Sequence, residues 1–183
     1  ERSAMGHKLL GMAFLEKKQL ELAESELRKS LEMMPRIGDA HYNLALLYEE
    51  REEFGRAEEE YKKEIELYPA SYPAHFNLAK LYGKMGAIDR QIEHFKETIK
   101  YNSNFANAYL FLAKAYMDSG KNYDEAIDLA EKGLELAPES ESAPLAHYIL
   151  ADIYSRKGLK AKYQEEFRKA QLLKQKIENK SQR

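Results

Sequence analysis

The stretch His41-Tyr-Asn-Leu-Ala-Leu-Leu-Tyr48 recurs 34 residues later as His75-Phe-Asn-Leu-Ala-Lys-Leu-Tyr82. A fixed internal period of this size signals an array of small structural units rather than one irregular core. The same spacing before His41 meets His7-Lys-Leu-Leu-Gly-Met-Ala-Phe14, and after His75 it meets Tyr109-Leu-Phe-Leu-Ala-Lys-Ala-Tyr116. A fifth copy, His147-Tyr-Ile-Leu-Ala-Asp-Ile-Tyr154, arrives 38 residues after the fourth. The additional residues fall in Lys121-Asn122-Tyr123-Asp124 and between Glu139 and Pro144. Both are expected turns, where added length costs little.

Each copy reads as two short amphipathic helices. Apolar or small residues stand at 41, 44, 45 and 48 and again at 57, 61 and 65, in steps of three and four. Phe54-Gly55, Met85-Gly86, Ser119-Gly120 and Lys157-Gly158 separate the helices, and Pro35, Pro69 and Pro138 stop the second one. The third copy keeps the rhythm with Gln91, Phe95 and Ser103. Thirteen Tyr and seven Phe supply packing material, while nine Gly and five Pro leave few interruptions, which favours helices over tightly turned strands. A helix pair of this size cannot bury its apolar face alone, so neighbours must stack. The expectation is an all-α solenoid of antiparallel helix pairs. It forms a single array over 1–183, with repeats at about 4–37, 38–71, 72–105, 106–140 and 144–174.

These columns resemble the tetratricopeptide repeat, with its aromatic, Leu, Gly/Ala, Tyr, Ala, aromatic and Pro positions, here filled by Leu44, Ala45, Tyr48, Ala57, Tyr61 and Pro69 and their equivalents. One departure is systematic: His7, His41, His75, His147 and Tyr109 stand where the family usually has tryptophan. The resemblance implies a right-handed superhelix whose concave groove, lined by the first helix of each repeat, receives a segment of a partner protein. The last segment, from Ala161 to about Glu178, carries Tyr163, Phe167, Ala170, Leu173 and Ile177 on one stripe and reads as a capping helix. Lys174, Lys176, Lys180 and Arg183 suit the negative end of its dipole. No comparable cap opens the chain, which starts at Glu1 rather than Met, so further repeats or another domain are expected to precede it.

If 41, 44, 45 and 48 face the core, residues 42, 43, 46, 49 and 50 occupy another face, which the resemblance assigns to the groove. Collected over the copies, that face offers Lys8, Tyr42, Phe76, Leu110 and Tyr148 in one column. A second column holds Leu9, Asn43, Asn77, Phe111 and Ile149, and a third holds Met12, Leu46, Lys80, Lys114 and Asp152. So many large apolar groups on one face mark either an interaction site or packing against the neighbouring repeat. Asn43 and Asn77 carry both donor and acceptor and can pair with an extended backbone whatever its side chains; O-linked N-acetylglucosamine transferase, in the same family, holds its ligand with a ladder of such asparagines. The family's clamp for chaperone tails fits poorly. Lys8 and Asn43 match it, but Met12, Pro73 and Asn77 replace groups that would grip a terminal carboxylate. Lys80, Lys84 and Lys114 remain available to attract an acidic side chain.

Other chemistry finds little support. The histidine column cannot converge on one metal, because adjacent helices lie about 8–10 Å apart whereas ligand nitrogens must reach within about 2 Å of zinc. No nucleophile-base pair, phosphate-cradling loop or carboxylate pair stands at sensible spacing, so neither a cofactor nor catalysis is expected. A net charge of −2 gives no field for nucleic acid, although the last 27 residues carry nine Lys/Arg against three Asp/Glu. The acidic runs at 49–53 and 58–60 read as solvated surface or, otherwise, as a docking site for a basic partner. No apolar run approaches the ~20 residues of a membrane span, and no signal-peptide layout opens the chain. The expectation is therefore a soluble, cytoplasmic interaction module that binds another protein or peptide. The alternative is self-association or permanent packing within a larger chain.

Overall fold

The computed structural model describes residues 3–120 and 122–181, so the insertion at Lys121 and the terminal Arg183 lie outside the described residues. Among these, the regular structure consists of ten α-helices and no strand. Two compact units divide the chain, Glu1–Met85 and Gly86–Arg183. The first contains α1 (Ala4–Glu16), α2 (Leu20–Met33), α3 (Ala40–Glu50), α4 (Phe54–Leu67) and α5 (Tyr72–Lys84). The second contains α6 (Ile88–Tyr101), α7 (Ala106–Asp118), α8 (Tyr123–Leu136), α9 (Ala143–Arg156) and α10 (Lys160–Ser181). The third copy is thus shared between the units, its first helix in one and its second in the other.

The turn between paired helices is one motif used repeatedly. After α1, the Lys18 N–H donates to Leu15 C=O at 2.9 Å and the Gln19 N–H to Phe14 C=O at 2.9 Å. After α3 the same bonds run from Glu52 to Glu49 and from Glu53 to Tyr48, and after α9 from Gly158 to Ser155 and from Leu159 to Tyr154. This is the Schellman closure, which needs one residue in the left-handed region. That residue is Lys18 (φ 56°), Glu52 (φ 58°), Gly86 (φ 75°), Gly120 (φ 69°) and Gly158 (φ 73°) in turn. The second turn therefore does not lie at Phe54-Gly55 as the sequence suggests, since both residues belong to α4. A local glycine drew attention away from Glu52, the position that the 34-residue period equates with Gly86.

Within the first unit, α1 pairs with α2 and α3 with α4, α5 packs on α4, and α1 touches α3. Leu27, Leu44, Leu47, Tyr48, Tyr61, Leu78, Leu81 and Tyr82 are at most 1% exposed. Ala23, Ala45, Ala57 and Ala79 between them let the helix axes approach closely. In the second unit α7 pairs with α8 and α9 with α10, α6 packs on α7, and α7 touches α9. Phe95, Leu110, Leu112, Ile149, Leu150 and Ile153 form its interior. α10 runs for 22 residues where α8 has 14, and its extension is tied to the loop before α9 by Lys176 and Lys180 on Glu139, at 2.6 and 3.6 Å.

The histidines at the tryptophan position are knitted into each helix pair. Nδ1–H of His7, His41 and His147 donates to Glu26, Glu60 and Glu166 of the second helix, each at 2.6 Å. Lys29, Lys63 and Lys169, one turn further on, complete three repeated His-Glu-Lys clusters. His75 differs, with its Nε2 3.1 Å from the Pro69 carbonyl oxygen. An imidazole thus fills an indole's place by pairing with a carboxylate, so a half-buried polar ring is hydrogen-bonded rather than stranded.

Candidate functional site

The first helices α1, α3 and α5 place equivalent residues side by side on one face of the first unit. Between them lies an open cavity of about 530 Å³, lined by Met12, Leu15, Glu16, Lys18, Asn43, Leu46, Glu49, Glu50, Asn77, Lys80 and Lys84. Six of the residues expected from sequence meet here: Met12, Asn43, Leu46, Asn77, Lys80 and Lys84. Glu49 and Glu50 belong to the face that the sequence assigned to the groove, whereas Leu15, Glu16 and Lys18 were not anticipated. The helical period carried the signal for two of these three, because Leu15 and Glu16 follow Met12 by one turn, as Glu49 and Glu50 follow Leu46.

The asparagines are partly committed within the fold. The Asn43 side chain is 6% exposed, and its Nδ2 donates to the Asp39 carbonyl at 2.5 Å, one turn back on the same helix. Since a carbonyl only accepts, this bond fixes which way the amide faces. Asn77 Nδ2 donates to the Tyr42 hydroxyl at 2.7 Å, across to the preceding repeat. Among the described residues neither amide oxygen accepts a hydrogen bond, so each retains an acceptor but has spent a donor.

Charges at the rim are largely paired. Lys84 meets Glu49 at 2.7 Å and Lys18 meets Glu50 at 2.9 Å. Glu49 also accepts from the buried Tyr61 hydroxyl at 2.7 Å, and burial together with this carboxylate raises the Tyr61 pKa far above the ordinary phenol value. The acidic run at 49–53 is therefore not simply solvated surface, because Glu49, Glu50 and Arg51 each reach another repeat. Lys80 stands apart from these pairs, with its ammonium 5.7 Å from the centre of the Phe76 ring.

The remaining expected residues sit elsewhere. Lys8 is 9% exposed, with Nζ bonded to the Gly38 carbonyl at 3.0 Å and 3.8 Å from Asp39. Its charge serves the loop before α3 and not a groove. Leu110 is 1% exposed and packs over Gly133 of α8, where a β-carbon would overlap it, so it is core and not a contact surface. Tyr42 is half-buried with its ring 5.9 Å from Tyr61, and Phe76 is half-buried beside Lys80. In the second unit Phe111 packs 5.9 Å from Phe95 and Tyr148 lies 5.8 Å from Phe167. There Lys114 is bridged to Asp118 at 2.5 Å and Asp152 to Arg156 at 2.8 Å. None of these lines the cavity of the first unit.

The tetratricopeptide repeat profile matches residues 3–72 and 76–141. The chain belongs to the tetratricopeptide repeat family. No curated protein is matched by sequence. Among solved structures, a crystal structure of MamA is 24% identical, covers 93% of this chain and 97% of its own, and superposes with a TM-score of 0.82. MamA of Desulfovibrio magneticus RS-1 is 19% identical over 94% of this chain and 96% of its own, with a TM-score of 0.82. YrrB, described as a TPR protein with an unusual peptide-binding site, is 19% identical over 94% of this chain and 87% of its own, with a TM-score of 0.78. At such identities these likenesses establish the fold. Tetratricopeptide repeat chains are generally non-catalytic scaffolds for other proteins, and that role is the one family membership supports. Among the described residues no helix is long and apolar enough to cross a membrane, and no three His, Asp or Glu side chains are grouped to hold a metal ion.

Proposed function

We propose that the first unit binds a peptide segment of a partner protein on the face formed by α1, α3 and α5. The observation that carries this reading is the convergence of Met12, Leu46, Asn43, Asn77, Lys80 and Lys84, from three successive repeats, on one open cavity. Apolar floor, amide acceptors and rim charges are the ingredients of peptide recognition, in which backbone bonds hold the segment and side-chain contacts select it. The description of YrrB as a peptide-binding member of the same fold supports it. Phe76 and Tyr42 underlie the surface, while Leu110 and Lys8 are left to the fold. The side chains of Phe111, Lys114, Tyr148 and Asp152 in the second unit serve its own packing and ion pairs in this reading.

The test is selection of a displayed random peptide library on the whole chain, followed by affinity measurement on Leu46→Glu. Leu46 is half-buried at the cavity floor and carries no polar bond, so the variant should keep the wild-type melting behaviour. Selected peptides should lose about tenfold or more in Kd, the scale of one central anchor. Equal binding to both proteins sinks the proposal.

A further inference from the structure

We propose that the segment accepted by the first unit is extended and charge-polarised. It carries a basic residue over the first-repeat end of the cavity, apolar side chains in the middle, and an acidic residue over the third-repeat end. This inference rests on the peptide-binding reading above and specifies its ligand. Among the register positions that line the cavity, two change character in the same direction from α1 through α3 to α5. The first runs Met12, Leu46, Lys80. The second, one turn on, runs Glu16, Glu50, Lys84, while Leu15 and Glu49 in the register between them add an apolar and an acidic group. Apolar and acidic groups at α1 thus give way to basic groups at α5.

Internal pairing sharpens the gradient. Glu49 is neutralised by Lys84 and Glu50 by Lys18, which removes the two middle carboxylates and two lining cations, one at each end, from the count. Glu16 and Lys80 remain, at opposite ends of the cavity, and among the described residues neither enters an ion pair. A bound segment completes the charge balance only by placing a cation near Glu16 and an anion near Lys80, since like charges there are repelled. The apolar floor between them is Met12, Leu15 and Leu46.

Spacing sets the conformation. Packed helices lie about 8–10 Å apart, so two steps from α1 to α5 span about 16–20 Å. Extended chain at about 3.3 Å per residue covers that in about five or six residues. A helix needs about 11–13 residues for the same span. The extended form fits, and with the backbone running one way through the cavity the charges set a constant order of basic and acidic residues along it.

The experiment selects a displayed random dodecapeptide library against three forms of the full chain: wild type, Leu46→Glu, and the charge-swapped Glu16→Lys/Lys80→Glu. Peptides enriched on wild type should carry Lys or Arg and Asp or Glu about five residues apart, in one constant order, with apolar residues between. The charge-swapped protein should enrich the reversed order. A wild-type peptide should lose about 3- to 10-fold in Kd on Lys80→Glu and regain it when its acidic residue is changed to Lys, with both effects shrinking in high salt. Because Glu16 and Lys80 join no ion pair, these variants should melt as wild type does. Peptides that depend on Leu46 but carry no ordered charge pair, or the same order on both charge forms, overturn this inference and leave the peptide-binding reading standing. Enrichment no better than on Leu46→Glu sinks both.

Discussion

Replacing Glu24 with glutamine should flatten the acid sensitivity of the first unit. The Glu24 carboxylate, 19% exposed, accepts from the Tyr48 hydroxyl at 2.7 Å, from Arg28 Nε at 3.0 Å and from Arg51 at 2.5 Å. Arg28 and Arg56 both donate to the Tyr48 oxygen at 2.7 Å, and the Arg56 guanidinium lies 4.0 Å over the Tyr48 ring. One carboxylate on α2 thereby ties together α3 and α4. Burial works against its charge, but the bonds from Tyr48, Arg51 and Arg28 outweigh burial and hold its pKa at about 2 against an ordinary 4.5. With the folded pKa depressed, the stabilisation is fully present above pH 4.5 and is lost as pH falls toward 2. At about 1.4 kcal/mol per pH unit that difference amounts to about 3 kcal/mol. Arg28 and Arg56 are half in solvent, at 51% and 47%, so screening reduces the expectation to about 1–2 kcal/mol. Urea denaturation followed by circular dichroism, at intervals from pH 6.5 to 2.5, measures it. Glu24→Gln should be less stable than wild type by that amount near neutrality, with the gap closing toward pH 2.5. A gap that stays constant across this range would refute the linkage argument and leave Glu24 with a packing role only.

Two further outcomes follow from the backbone and the core. Glu52→Gly should stabilise the chain by about 0.5–1 kcal/mol, because relief of the left-handed strain at φ 58° exceeds the greater entropy of glycine in the unfolded state; a lower melting temperature would contradict this. Glu64 is 1% exposed and accepts from the Asp39 and Tyr42 N–H groups at 3.1 and 3.3 Å, capping α3 from a neighbouring helix. Burial raises its pKa more than those two bonds lower it. Its contribution is therefore greatest below 4.5 and declines as pH rises through the elevated folded value. Glu64→Gln, which keeps an acceptor without the charge, should match or exceed wild-type stability at pH 7 and lose that decline; marked destabilisation at pH 7 would show the charge at the helix end to be worth more than its burial costs.

The architecture was legible because it is periodic. A 34-residue spacing of Leu44, Ala45 and Tyr48 with Leu78, Ala79 and Tyr82 specifies one helix pair, and repetition supplies the neighbours that pair needs. The same period located the face on which Met12, Leu46 and Lys80 meet, but the glycine at Gly55 misplaced the second turn, which closes at Glu52, the equivalent of Gly86. What lay beyond it was how far around each helix the packing extends. Leu110 shares its register with Tyr42 and Phe76, yet it is core because α8 has Gly133 beneath it. Lys8 shares that register too, and a loop carbonyl at Gly38 takes its charge. Sequence alone thus determined which residues recur and on which helical face, because periodicity is a property of a single helix. Only tertiary structure decided that Glu49 and Glu50 are neutralised while Glu16 and Lys80 are not, because pairing depends on which side chains from different repeats come within reach of one another.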